Sequence, residues 1–134
     1  MKQALLYVRS AGRQCFGIQR QQSSCEAYAA ENGFNVAHII CEHGMAGRID
    51  AYRSGLETLL GLARAHEFDT LIMYSFDRIS RNANEVFPYL DLIAECGIDI
   101  LSVHDGSYAK CRAECAEFAH QFLAVATQGR ACDQ

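Results

Sequence analysis

Three groups of arginine in this sequence sit where short apolar runs end: Arg9 after the first run, Arg48 and Arg53 after the second, and Arg78 with Arg81 after the third. Guanidinium groups brought to one edge form an anion site, and phosphoryl transfer is the reaction that most needs several preorganised cations around one reacting centre. Ten of the twelve basic residues are arginine and only Lys2 and Lys110 are lysine. That bias favours the planar fork that grips phosphate or carboxylate through two hydrogen bonds. Arg78 and Arg81 are three apart, just before a helix expected from Asn82, a spacing that lets both side chains reach one side of a turn or helix start. The competing use is plain surface pairing of the arginines with Glu42, Asp50 and Asp77.

The elements must bring these groups together. Gln3–Ser10 (QALLYVRS) is short and apolar and closes on Ala11-Gly12, which predicts a buried strand. Ile18, Cys25, Tyr28 and Ala29 recur near helical spacing and Asn32-Gly33 supplies a stop, so the first helix is expected over Ile18–Asn32. A second strand is read at Phe34–Cys41, followed by an exposed loop, Glu42–Asp50. Leu56, Leu59, Leu60 and Ala63 mark a helix over Ser54–His66, with Ser54 and Glu57 spaced as a capping box. Thr70–Tyr74 is a third strand. Asn82 caps a helix through Glu95 with Val86, Phe87, Leu90, Ile93 and Ala94 on its apolar face and Pro88 as a local kink. Ile98–Val103 is a fourth strand, and a long helix runs over Tyr108–Gln128. Strands alternating with helices predict an α/β fold: a mostly parallel sheet of about four or five strands flanked by helices, ending in a long C-terminal helix. In such a sheet ligand chemistry gathers at the carboxyl ends of the strands, where the arginines are.

At 134 residues the chain is expected to be one domain. Its net charge of −4 argues against gripping nucleic acid by bulk charge, so any DNA contact must be local. No apolar run approaches the ~20 residues of a membrane span, and Met1–Val8 is cut short by Arg9 before it can serve as a signal peptide, which points to the cytoplasm. Seven cysteines without a CxxC pair read as reduced thiols. Cys111 and Cys115, with His104 and His120 nearby, lack a second paired ligand set. No metal and no cofactor are therefore expected.

The segment Ser75-Phe76-Asp77-Arg78-Ile79-Ser80-Arg81 resembles the (L/F)DR(L/I)(S/G)R signature of the serine recombinases, the resolvase and invertase family. Five further stretches agree in order and spacing. Tyr7-Val8-Arg9-Ser10-Ala11 resembles Y-x-R-x-S at its tyrosine and arginine, and Gly17-Ile18-Gln19-Arg20-Gln21 the S-(I/L)-x-x-Q that follows. Glu42-His43-Gly44-Met45-Ala46-Gly47 is similar to D-x-G-x-S-G, Arg53-Ser54-Gly55-Leu56 to R-x-G-L, and Phe68-Asp69-Thr70-Leu71-Ile72 to F-D-x-L-(I/V). The resemblance implies attack by a serine hydroxyl on a DNA phosphodiester, giving a phosphoserine link and a free 3′ hydroxyl, with subunit exchange in a synaptic tetramer. It also implies assembly as a homodimer, arginines that stabilise the pentavalent transition state, and no metal. By the same resemblance Arg9, Gln21, Glu42, Arg53, Asp77, Arg78 and Arg81 are the site residues, with Arg130 presented by the long helix. The apolar stripe Phe118, Phe122, Leu123, Val125 and Ala126 would belong to a dimer interface, simple core packing being the alternative.

The departures fall on the nucleophile. The serine of Y-x-R-x-S is replaced by Ala11, whose methyl group cannot attack phosphorus, and the serine and aspartate of the loop motif are replaced by Ala46 and Glu42. Residues i and i+2 of a strand share a face, so a hydroxyl at position 11 would meet the same phosphate as Arg9, whereas Ser10 points to the other face unless a bulge re-aims it. Two uses remain open: a recombinase catalytic domain, with or without Ser10 as substitute nucleophile, and a non-catalytic resolvase-like protein that binds DNA phosphate or assembles with a partner. Ser75 and Ser80 are weaker nucleophile candidates. The family normally continues its long helix into a DNA-reading domain. Residues 1–134 are expected to be the catalytic domain alone, binding DNA weakly and without sequence choice.

Overall fold

The computed structural model describes residues 2–10, 15–43, 54–79 and 83–114. The first apolar run is strand β1 (Lys2–Ser10), which lies inside the sheet between β2 (Phe34–His43) and β3 (Thr70–Met73). Beyond β3 come β4 (Asp99–Ser102) and the two-residue β5 (Gly106–Ser107), completing a five-stranded sheet in the order β2-β1-β3-β4-β5. The first four strands are parallel and β5 is antiparallel to β4. Helices α1 (Cys15–Glu31), α2 (Ser54–Arg64) and α3 (Ala83–Glu95) make the crossovers that parallel strands require. A 3-10 turn, Phe76–Arg78, follows β3, and helical backbone, α4, runs over 108–114. The rest of the expected C-terminal helix, with its apolar stripe and Arg130, lies outside the described residues.

Alternation along β1 decides which layer each residue joins. Leu5 and Tyr7 face α2 and α3 and pack in one cluster with Leu56, Leu59, Leu71, Met73, Leu90 and Ile93. Ala4 and Leu6 face the other way, onto Cys25, Ala29 and Ile72. Each fully buried leucine or isoleucine in these layers contributes roughly 1.5–3 kcal/mol. Cys25 is a core residue. Burial, with a smaller push from Glu26, raises its thiol to about 12, so it stays protonated and inert.

From β1 to β4 the order of strands and α-helices matches the sequence expectation, with shifted ends, and the 3-10 turn and the short β5 are additions to it. Helix α1 starts at Cys15 instead of Ile18 and α2 ends at Arg64. Strand β2 runs on to His43 because its pairing with β1 continues to Ser10↔His43. The face of α3 needs one correction: Ala94 is exposed and Tyr89 is buried in its place, its hydroxyl donating to Leu56 O at 2.7 Å. A polar tip that finds a carbonyl lets the large ring stay inside, where it buries more area than alanine.

Thr70 is fully buried and its Oγ1 has no hydrogen-bond partner among the described residues. An unsatisfied buried hydroxyl costs about 1–3 kcal/mol. Thr70→Val, which keeps the β-branched shape, is expected to leave stability unchanged or raise it by about 1 kcal/mol in urea denaturation. A loss of that size instead would reveal a partner for the hydroxyl.

Candidate active site at the carboxyl edge of the sheet

The strand order places the end of β1 beside both the end of β2 and the turn after β3. Arg9, at this edge, is only 1% exposed. Its backbone is held from α1: Gln21 Oε1 accepts the Arg9 N–H at 3.2 Å and Gln21 Nε2 donates to Arg9 O at 2.8 Å. The pairing of β1 with β3 ends at Tyr7↔Met73. Two residues further on, the Gln21 carboxamide takes the place of a neighbouring peptide group.

The Arg9 guanidinium reaches across to the 3-10 turn. Its Nε donates to Arg78 O at 2.5 Å and its Nη2 to Asp77 O at 3.2 Å. Within the turn, Arg78 N donates to Ser75 O and Ile79 N to Phe76 O, and the carbonyls of residues 77 and 78, at its C-terminal end, accept from the Arg9 guanidinium. The turn is braced on its outer side as well. Ser75 Oγ donates to Asp77 Oδ1 at 2.5 Å and accepts from Arg78 Nε at 3.3 Å, and Arg78 Nε also lies 3.5 Å from Asp77 Oδ1. From the turn between β4 and β5, Asp105 Oδ2 accepts the Phe76 N–H at 3.0 Å. Ser75 is buried inside this bracket, which makes it a structural hydroxyl and not an accessible nucleophile. The Arg78 side chain, 28% exposed, reaches the surface.

Glu42, near the end of β2, is 5% exposed and lies opposite Arg9 in the register. One carboxylate oxygen accepts the Tyr7 hydroxyl and the other the Gly55 N–H, at 3.0 Å, in the first turn of α2. The second contact satisfies an N-terminal donor of the helix from a distance, as a capping side chain would, and places negative charge at the positive end of the helix dipole. It also brings together the two ends of the loop between β2 and α2. A Cβ on Gly55 would stand 2.6 Å from the Glu42 carboxyl group. Gly55→Ala is therefore expected to cost about 1–3 kcal/mol in urea denaturation through overpacking. A change under about 0.5 kcal/mol would mean that the carboxylate can move aside freely.

Of the site residues expected from sequence, Arg9, Gln21, Glu42, Asp77 and Arg78 meet at this edge. Ser10 is in regular strand pairing, and the one register shift of β1 lies between Ala4 and Leu5, away from the strand end. Ala11, Ala46, Arg48, Asp50, Arg53, Ser80 and Arg81 lie outside the described residues. The expected surface pairing is realised for Arg78 with Asp77. Sequence reasoning missed Tyr7 and Gly55 as partners of Glu42, and Ser75 and Asp105 as braces of the turn. Tyr7 carried a signal in its position two before Arg9 on the same strand face, and Gly55 as the glycine of the R-x-G-L match. A cavity of about 610 Å³ between α3, β4 and α4, lined by Asp91, Ile98, Tyr108 and Arg112 among others, includes none of the arginine-edge residues. Among the described residues no His, Cys, Asp and Glu form a metal-binding group, and no helix is long and apolar enough to cross a membrane.

The family model for the resolvase N-terminal domain matches residues 4–130. No curated protein matches the sequence. Among solved structures, the N-terminal catalytic domain of TP901-1 integrase is similar at 22% identity and a TM-score of 0.75, covering 90% of this chain and 98% of that one. A resolvase family site-specific recombinase from Streptococcus pneumoniae matches at 17% identity and a TM-score of 0.70, covering 96% of this chain and 94% of that one. The C-terminal catalytic domain of ISC1926 TnpA, an IS607-like serine recombinase, matches at 22% identity and a TM-score of 0.67, over 94% of this chain and 81% of that one. At these identities the likeness establishes the shared fold.

Proposed function

Since this chain belongs to the resolvase N-terminal domain family, we propose that it is the catalytic domain of a site-specific DNA recombinase, built for strand cleavage and exchange through a phosphoserine link. The observation that carries the reading is the meeting of Arg9, Gln21, Glu42, Asp77 and Arg78 at one sheet edge, although Arg9 and the turn carbonyl it holds are 69 residues apart in sequence. In the proposed reaction a serine Oγ–P bond forms as the P–O3′ bond of the DNA breaks. The attacking hydroxyl gives up its proton and the departing 3′ oxygen gains one. The arginines offset the charge that grows on the pentavalent phosphorus, and in a dry site such preorganised donors supply much of the rate. Rejoining reverses the step in a tetramer of this chain's kind.

Ala11 at the nucleophile position favours a second reading, in which the chain holds a DNA phosphodiester or joins an assembly without cutting. One experiment separates the two for the native protein. A duplex oligonucleotide nicked near its centre, so that a cleaved end diffuses away, is incubated with the native chain and with Ser10→Ala, and covalent adducts are sought on a denaturing gel. An adduct from the native chain that vanishes in Ser10→Ala assigns the attack to Ser10. Salt-sensitive DNA binding without any adduct supports the non-cutting reading, and absence of both adduct and binding overturns the DNA reading itself.

A further inference from the structure

The 3-10 turn that presents Arg78 begins at Phe76, and Phe76 is held at two points. Its N–H donates to Asp105 Oδ2 at 3.0 Å, and Ser102 Oγ lies 3.0 Å from that same oxygen. Its ring stands against the ring of Tyr108, with centroids 5.6 Å apart and planes at 84°. An edge-to-face pair of this kind fixes orientation as well as distance. Asp105 lies in the turn between β4 and β5, and Tyr108 opens α4 directly after β5. Both anchors of Phe76 therefore come from one short stretch at the entry to α4.

Tyr108 is itself seated on α3. It is 3% exposed, and its hydroxyl donates to Asp91 Oδ1 at 2.8 Å, with Phe87 O 3.3 Å away. Burial, and then the Asp91 carboxylate, push the phenol well above its ordinary range, so it remains a donor. The other Asp91 oxygen accepts from Arg112 Nη2 at 3.3 Å, and the Arg112 guanidinium carbon lies 4.9 Å from the centre of the Phe87 ring. Two side chains of α4 thus grip α3, and the ring of one of them also touches the arginine turn.

We infer that Tyr108 is a positioning residue of the arginine site: its ring ties the turn that carries Arg78 to the start of α4, so that the seat of α4 on α3 sets where Arg78 stands. This deepens the DNA-phosphate reading and rests on it, Arg78 being the side chain that meets the phosphate. The turn is three residues long and is closed by the bonds from Arg78 N to Ser75 O and from Ile79 N to Phe76 O. It moves as a unit, and a displacement of Phe76 is passed to Arg78 two residues on. Tyr108 also fills the core beside α3, and substitutions separate that task from positioning. Tyr108→Leu keeps apolar bulk without the ring, and Tyr108→Phe keeps the ring without the hydroxyl.

The first readout needs no DNA: exchange of the Arg78 Nε–H with water, followed by nitrogen-15 NMR, with the signal assigned by its loss in Arg78→Lys. In the native chain this group is steadied by Ser75 and Asp77. Tyr108→Leu is expected to speed its exchange by about tenfold or more, and Tyr108→Phe by less than about threefold. Leu6→Val, which loosens the core on the other face of the sheet, controls for a general loss of stability and should also stay below about threefold. If Tyr108→Leu does not fold, Tyr108→Met, which fills the space flexibly and also lacks the ring, takes its place with the same expected value. An effect of the ringless variant below about threefold, or one that Leu6→Val or Tyr108→Phe equals, overturns the inference.

The second readout is the salt dependence of binding to a short DNA duplex, where each phosphate contact contributes about 0.9 to the slope. Arg78→Ala should lower the slope by about that amount in the native background and by less than about half of it beside the ringless variant. A full loss in both backgrounds overturns the inference whatever the exchange shows. A native chain that binds no duplex defeats the DNA reading by itself, and the exchange of the Arg78 Nε–H alone then decides the role of Tyr108.

Discussion

Ala11→Ser is expected to create or raise covalent linkage of the chain to DNA, seen as a protein band carrying labelled DNA after denaturation. Removing the serine nucleophile of a hydrolase costs on the order of 10⁴- to 10⁶-fold in rate, about 5 to 8 kcal/mol of barrier, so placing one there should raise the reaction by orders of magnitude. Position 11 is the place to restore it because it is two residues beyond Arg9 in the Y-x-R-x-S pattern, and Arg9 reaches the arginine turn. The restored rate should fall short of an intact site, since Ala46 and Glu42 also depart from the family pattern. Ala11→Ser combined with Arg78→Ala should lose the adduct again. If Ala11→Ser, correctly folded, gives no adduct on nicked or supercoiled DNA, the catalytic reading fails and the binding or assembly reading stands.

Glu42→Ala is expected to destabilise the protein by about 3–5 kcal/mol, a large share of a small domain's total stability. The carboxylate is nearly inaccessible and accepts from the Tyr7 hydroxyl and the Gly55 N–H. Its removal leaves two buried donors without these acceptors, each costing about 1–3 kcal/mol, and opens a cavity besides. Glu42→Gln should cost about 1–3 kcal/mol, because one oxygen can still accept while the new NH₂ group faces a donor. Tyr7→Phe, losing a single hydroxyl, should cost about 1 kcal/mol, and its effect should shrink in the Glu42→Ala background because the partner has already gone. Urea denaturation with circular dichroism reads all four values. A cost below about 1 kcal/mol for Glu42→Ala would show that water replaces the carboxylate and that the link between β2 and α2 holds nothing together.

These two effects were legible in the sequence to different degrees. The place of Ala11 follows from Y-x-R-x-S and the alternation of a strand, both local patterns, so it could be named without coordinates. Glu42 could be named as the counterpart of the family's aspartate, but its work could not. Whether a carboxylate pairs with an arginine, caps a helix or accepts from a tyrosine depends on which strand ends beside it. Similarly, the exchange of Ala94 for Tyr89 on the buried face of α3 turned on a carbonyl of α2 within reach of the Tyr89 hydroxyl, a contact that no helical periodicity contains.

The sequence by itself determined the alternation of strand and helix, the parallel sheet, the family and the set of residues at the strand ends. Each rests on neighbours two to four positions apart or on motifs of a few residues, and apolar periodicity records such neighbours directly. Only the tertiary structure decided what those residues do to one another: that Arg9 is buried with its fork on the carbonyls of Asp77 and Arg78, that Gln21 substitutes for a missing strand, and that Glu42 joins Tyr7 to the start of α2. The order β2-β1-β3 brings residues 9, 42 and 78 to one edge. Burial there obliges every polar group to find a partner, and the partners available are those that the strand order supplies.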